Sequence, residues 1–156
     1  FDNSMNKYTE FDKKFPNISW SDYSKFGKKT IKNLIEKSKM TIDSVLALSQ
    51  NEKSYNTVVE KLAHVESELE RDKNILAVLI SASTDEELIQ SYTALLEFSA
   101  ELDYRTDLYE ILDMIRLKEK SLDSECDLYL KKTLLRKKRN GVHLPEEKRE
   151  EIKHID

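Results

Sequence analysis

The sequence predicts an all-α protein, an array of about six mostly antiparallel helices. Three observations carry this. Gly and Pro number only two each in 156 residues, and helix interiors exclude these residues because Gly costs backbone entropy and Pro lacks an N–H. Apolar residues recur at spacings of three and four along most of the chain, which is the signature of one buried helical face. The periodic segments are separated by short polar connectors bearing cap residues.

Residues 1–19 show no sustained period and contain Pro16, and read as an extended N-terminal arm. Residues 20–156 read as one helical domain. Its first helix follows Trp20, with Ser21, Asp22 and Ser24 as candidate N-caps, since their side-chain oxygens can accept an orphan N–H. Its apolar face is Ile31, Leu34, Ile35, Ser38, Ile42, Val45 and Leu46, running to about Leu48. Gly27 weakens only the first turn. After the connector 49–54 a second helix carries Tyr55, Val58, Val59, Leu62, Val65, Leu69, Leu76 and Leu79. Thr84 and Glu87 have capping-box spacing, in which each side chain satisfies the other residue's backbone N–H. The third helix then shows Leu88, Tyr92, Leu95, Leu96, Ser99 and Leu102. A break around Asp103–Thr106 precedes a fourth helix with Leu108, Ile111, Leu112 and Ile115. Beyond KEKSLDS a fifth carries Leu128, Tyr129, Thr133 and Leu134.

The order of signals near the C-terminus follows helix polarity. Lys131, Lys132, Arg136, Lys137, Lys138 and Arg139 fall in the last turns of the fifth helix, where exposed carbonyls make a negative pole. Gly141 is the natural left-handed cap. Pro145 can open a sixth helix because its missing N–H has no partner there anyway, and Glu146 and Glu147 sit at that helix's positive pole. Ile152 and Ile155 continue the sixth helix to Asp156 without a stop signal. The expectation is a domain cut inside its last helix and belonging to a longer protein.

Composition narrows the function. Lys and Arg total 26 against 30 Asp and Glu, a net charge of −4, whereas a dedicated nucleic-acid binder carries a basic excess. No nucleic-acid partner is expected. No apolar run approaches the ~20 residues of a membrane span, and no signal peptide is visible, so no membrane partner is expected either. The one cysteine, Cys126, cannot form an internal disulfide. That fits a reducing compartment, and a cytoplasmic location is the expectation.

The candidate sites are sparse. His64 lies between Glu60 and Glu68 at helical spacing, but has no second His or Cys nearby to complete a metal site. His143 falls in an interhelical loop and His154 in the last helix. Cys126 reads as a core or boundary residue, because a nucleophile needs a base beside it. Tyr92, Tyr104, Tyr109 and Tyr129 fall at helical spacings and read as packing residues. The basic run 131–139 reads as a solvated helix end and not as a phosphate site. There is no Gly-rich phosphate loop, no CxxC and no HExxH. The sequence therefore assigns no catalytic, cofactor-binding or metal-binding residue within the 156.

Several segments, taken in chain order, resemble the thimet oligopeptidase, neurolysin and oligopeptidase A family of zinc metallopeptidases. They are Trp20 followed by Leu34-Ile35 and Asp43; Tyr55-Asn-Thr-Val58 with Leu62-Ala63 and Val65-Glu66; Thr84-Asp-Glu-Glu-Leu88; and Glu101-Leu-Asp-Tyr-Arg105-Thr-Asp107-Leu-Tyr109. The most specific is Arg139-Asn-Gly-Val-His-Leu-Pro145 with Glu147, Glu151, Ile152 and Ile155. The resemblance implies the N-terminal channel-forming region of a zinc-dependent oligopeptidase that hydrolyses short unstructured peptides. It implies zinc in the full-length parent, bound by an HExxH and a downstream glutamate that do not occur here. This region's partners would be short peptides and the parent's own C-terminal catalytic domain, and on its own it would be inactive and bind no metal. The alternative from the residues alone is a free-standing helical interaction module without catalytic activity. A nucleic-acid accessory using residues 131–139 is a third reading.

Overall fold

The structure is a computed structural model that describes the backbone of residues 20–153, with side-chain surroundings for 28–151. The expected arm at 1–19 and the expectations for Ile152, His154 and Ile155 lie outside these described residues. Among them there are six α-helices and no strand: α1 (Trp20–Leu46), α2 (Glu60–Ser81), α3 (Glu86–Tyr104), α4 (Thr106–Lys118), α5 (Ser124–Arg139) and α6 (Glu146–Lys153). The all-α expectation holds.

Trp20 is already helical, so the candidate caps at Ser21, Asp22 and Ser24 fall inside α1. The helix tightens at its end, where Leu48 N–H donates to Val45 O. The next helix begins with a π-helical segment, Tyr55–Val59, which runs directly into α2. Ser54 caps it. Its hydroxyl accepts from Thr57 N–H, and the Thr57 hydroxyl accepts from Ser54 N–H at 2.9 Å. This is the fold's reciprocal capping box, and it stands at Ser54, not at the expected Thr84. At α3 the cap is Asp85, whose carboxylate accepts from Glu87 N–H at 2.9 Å. Aspartate beats threonine here because its carboxylate is the stronger acceptor at a helix's positive pole.

The inner face of α3 is Leu88, Ser91, Leu95, Phe98 and Leu102. That face is rotated from the expected one: Phe98 points inward and Leu96 is 40% exposed. Ser91 tolerates burial because its hydroxyl returns to Glu87 O at 2.8 Å. α3 and α4 meet at one extended residue, Arg105. Its guanidinium clamps the Asp107 carboxylate, with Nε 3.0 Å from Oδ1. α4 buries Leu108, Ile111, Leu112 and Ile115 as expected. Asp123 caps α5 through Glu125 and Cys126 N–H. α5 buries Leu130, Thr133, Leu134 and Lys137, while Leu128, expected inside, is about half exposed.

The end of α5 matches its sequence signal. Gly141 has φ 78°, a left-handed conformation that a Cβ disfavours. Gly141 N–H donates to Lys138 O and Val142 N–H to Lys137 O, the two bonds of a Schellman cap. Val142 is buried and supplies the accompanying apolar contact. Pro145 then precedes α6, and its carbonyl accepts from Lys148 and Arg149 N–H.

α1 and α2 run antiparallel. Lys37 pairs with Glu68, while Ile42, further along α1, lines the same hollow as Leu62, earlier on α2. α3 packs on both of them, α4 packs on α5 and on the π-helical segment, and α5 touches α3. One continuous core results, in which Val45, Val58, Leu95, Ile115 and Leu130 are fully buried. Within it the Ser38 hydroxyl is buried without a hydrogen-bond partner. Burying an unpaired hydroxyl is costly. Ser38→Ala should therefore leave thermal stability unchanged or raise it, whereas Leu95→Ala should lower it by about 2–5 kcal/mol. Ser54→Ala, which breaks the capping box, should cost about 1 kcal/mol. Chemical denaturation of the three variants distinguishes these outcomes.

Candidate functional site

A cleft of about 370 Å³ lies between α2, α3 and α5. Ala63, Leu69 and Leu102 give it apolar walls, and Glu66, Glu70, Lys73, Asp103, Tyr129 and Arg136 give it charged and polar ones. Helical spacing places these groups. Glu66, Glu70 and Lys73 recur at four and three on α2, and Tyr129 and Arg136 stand two turns apart on α5.

The charged groups converge on Arg136. Its Nη2 donates to Glu66 Oε1 at 2.7 Å, and its Nε lies 3.4 Å from Asp103 Oδ1. The other Glu66 oxygen accepts from the Tyr129 hydroxyl at 3.4 Å. Lys73 pairs with Glu70. Behind Arg136, Lys137 turns inward and is 2% exposed. Its Nζ donates to Leu102 O at 2.6 Å and stands 4.0 Å from Asp103 Oδ1. One guanidinium and one ammonium thus tie α5 to α2 and to the carbonyl end of α3, where cations are favoured. Burial pushes the Lys137 amine below the usual lysine range, and the Asp103 and Glu66 carboxylates oppose that shift. Burial also raises the Tyr129 phenol, helped by the Glu66 charge.

The basic run is a solvated helix end at Lys131, Lys132, Arg136, Lys138 and Arg139, all exposed, and departs from that reading at Lys137, which is buried. Lys131 pairs with Asp127 on its own helix, whereas Arg136 reaches across the surface to Glu66 and Asp103. A signal for Lys137 was present in the sequence: it follows Leu130, Thr133 and Leu134 on the same helical stripe.

The other candidates stay apart from the cleft. His64 is exposed and lies 3.7 Å from Glu68, whose carboxylate is already engaged by Lys37 at 3.1 Å. The Lys37 hydrogen bond holds Glu68 below the ordinary glutamate value. His143 is exposed in the α5–α6 connector. The Cys126 thiol lies 3.4 Å from Asp123 Oδ2 at the start of α5. Tyr92, Tyr109 and Tyr129 pack against the core. Among the described residues no group of three or more His, Cys, Asp or Glu could hold a metal ion. A zinc site does not fit these side chains. No described helix is long and apolar enough to cross a membrane. Chemically, the cleft offers paired charges beside apolar walls.

No protein-family model matches the chain. A thimet-like oligopeptidase from Dictyostelium discoideum is 27% identical over 137 residues, which cover 82% of this chain and 20% of that protein. The chain therefore spans about a fifth of the length of this relative.

Two measurements check the electrostatics. In a double-mutant cycle, Arg136→Ala and Glu66→Gln should show a coupling of about 0.2–1 kcal/mol, the range for a partly exposed pair, and it should shrink as salt is added. Two titrating groups set opposite pH limbs. Lys137 has a folded pKa below the ordinary lysine value of 10.5, so between the two values the unfolded chain binds the extra proton and stability rises with pH. Lys137→Met should flatten that alkaline rise. Asp107 is held below 3.8, chiefly by its hydrogen bond to Arg105. Its contribution is complete above 3.8 and is lost as pH falls through the depressed value, so Asp107→Asn should flatten the acid limb. Unfolding curves measured across pH read out both.

Proposed function

We propose that this chain is the N-terminal helical region of a zinc-dependent oligopeptidase, and that it shapes the channel through which short, unstructured peptides reach the catalytic centre. The observation that carries this reading is the similarity to a thimet-like oligopeptidase over 82% of the chain. The ordered segments from Leu34 to Pro145 support it, above all Arg139-Asn-Gly-Val-His-Leu-Pro145. In that block Gly141, at φ 78°, follows the C-cap Asn140 of α5, and Pro145 precedes α6.

On this reading the described helices supply walls and no reacting groups. A narrow, helix-lined channel selects peptides by size, because a folded domain cannot enter it. The zinc of such a peptidase would be held by residues of the parent's own catalytic domain, since the side chains described here offer no ligand cluster. No reaction step is assigned to this region. The cytoplasm is the compartment proposed for the parent, consistent with the lone thiol of Cys126.

The test is to read the complete transcript and assay its product. The reading frame should continue for several hundred residues and contain one HExxH. The purified full-length protein should cleave short peptides, spare folded proteins, lose activity to a chelator and regain it with zinc. A frame that closes soon after Asp156, or a full-length product inert toward short peptides, would overturn the proposal in favour of a free-standing helical interaction module.

A further inference from the structure

A smaller chamber adjoins the cleft. It is a partly open hollow with room for about 20 Å³, lined by apolar residues such as Ile42 and Leu112 together with Glu66, Tyr129, Thr133 and Lys137. It shares Glu66, Leu102 and Tyr129 with the outer cleft.

Two independent features point to the same occupant. The first is size. A chamber needs about 10–15 Å³ measured in this way to admit one water molecule, and this one exceeds that without room for anything much larger. The second is an unspent donor. A lysine ammonium carries three N–H donors and a neutral amine carries two. Among the described residues Lys137, 2% exposed, makes one hydrogen bond, to Leu102 O at 2.6 Å. The Asp103 carboxylate at 4.0 Å lies beyond hydrogen-bond distance. A buried donor left without an acceptor is strongly unfavourable. Water is the acceptor that fits the space, and it can also donate to the Glu66 carboxylate or the Thr133 hydroxyl on the same wall.

We infer that the chamber beneath Lys137 is a binding site for one internal water molecule, which accepts from Lys137 Nζ and bridges it toward Glu66 and Thr133. The water completes the coordination of the buried amine and links the core of α5 to the floor of the cleft. A purely apolar chamber of this volume would stay dry; the four polar side chains make the difference. This inference does not depend on the peptidase reading.

The test is a high-resolution crystal structure of the wild-type chain together with water–proton NOE measurements in solution. Ordered density within hydrogen-bond distance of Lys137 Nζ, and a slowly exchanging water near Thr133, are expected. Lys137→Met keeps a similar length while removing the donors, and should abolish that NOE with the fold retained. A dry chamber in the wild type, a side chain filling it, or an unchanged NOE in Lys137→Met would each overturn the inference. Should Lys137→Met fail to fold, the wild-type measurement alone decides.

Discussion

The contact on which the architecture turns is the one between the Lys137 ammonium and the Leu102 carbonyl. A helix ends with carbonyls that lack full intrahelical pairing, and at the end of α3 the carbonyl of buried Leu102 receives only the long 3.4 Å bond from Arg105 N–H. A lysine from α5 reaches one of these groups at 2.6 Å. The arrangement is demanding, because a buried cation is tolerated only when its surroundings are polar and aligned. Asp103 and Glu66 supply that setting, and Arg136 is drawn to the same two carboxylates from the outer side. Three helices are thereby fixed at one corner, and the cleft is the space that corner leaves open.

The corner also shows what kind of surface this is. Arg136 and Lys73 are satisfied by Glu66, Asp103 and Glu70. The charged side chains that line the cleft are thus largely paired with one another.

Much of the fold was legible because the signals were local. Gly141 ends α5 because only a residue tolerant of positive φ closes the Schellman bonds, and Pro145 opens α6 for an equally local reason. The faces of α1, α2 and α4 followed from spacing. The sequence was less informative where the deciding partner lies far along the chain. Lys137 was read by residue type as a solvated cation, yet its burial depends on a carbonyl 35 residues away. The inner face of α3 shifted from Leu96 to Phe98 because α1 and α2 both pack on it, and helical spacing alone permitted either face. The π-helical opening at Tyr55–Val59 left no mark in the pattern, since Tyr55, Val58 and Val59 suit a regular helix equally well. The cleft itself could not be read at all, because its walls come from three separate segments.

One feature of that opening bears on how the molecule is made. The first N–H of the π-helical segment, that of Tyr55, is satisfied by Glu119 Oε1 at 2.9 Å, across a separation of 64 residues. During vectorial synthesis at about 5–20 residues per second, Tyr55 leaves the ribosome several seconds before Glu119 exists. The nascent helix must therefore begin with Ser54 and Thr57 alone, and its final anchor arrives only when α4 is complete. The N-terminal hairpin of α1 and α2 can form early, but it is locked in place late, by the residue that caps the end of a helix yet to be translated.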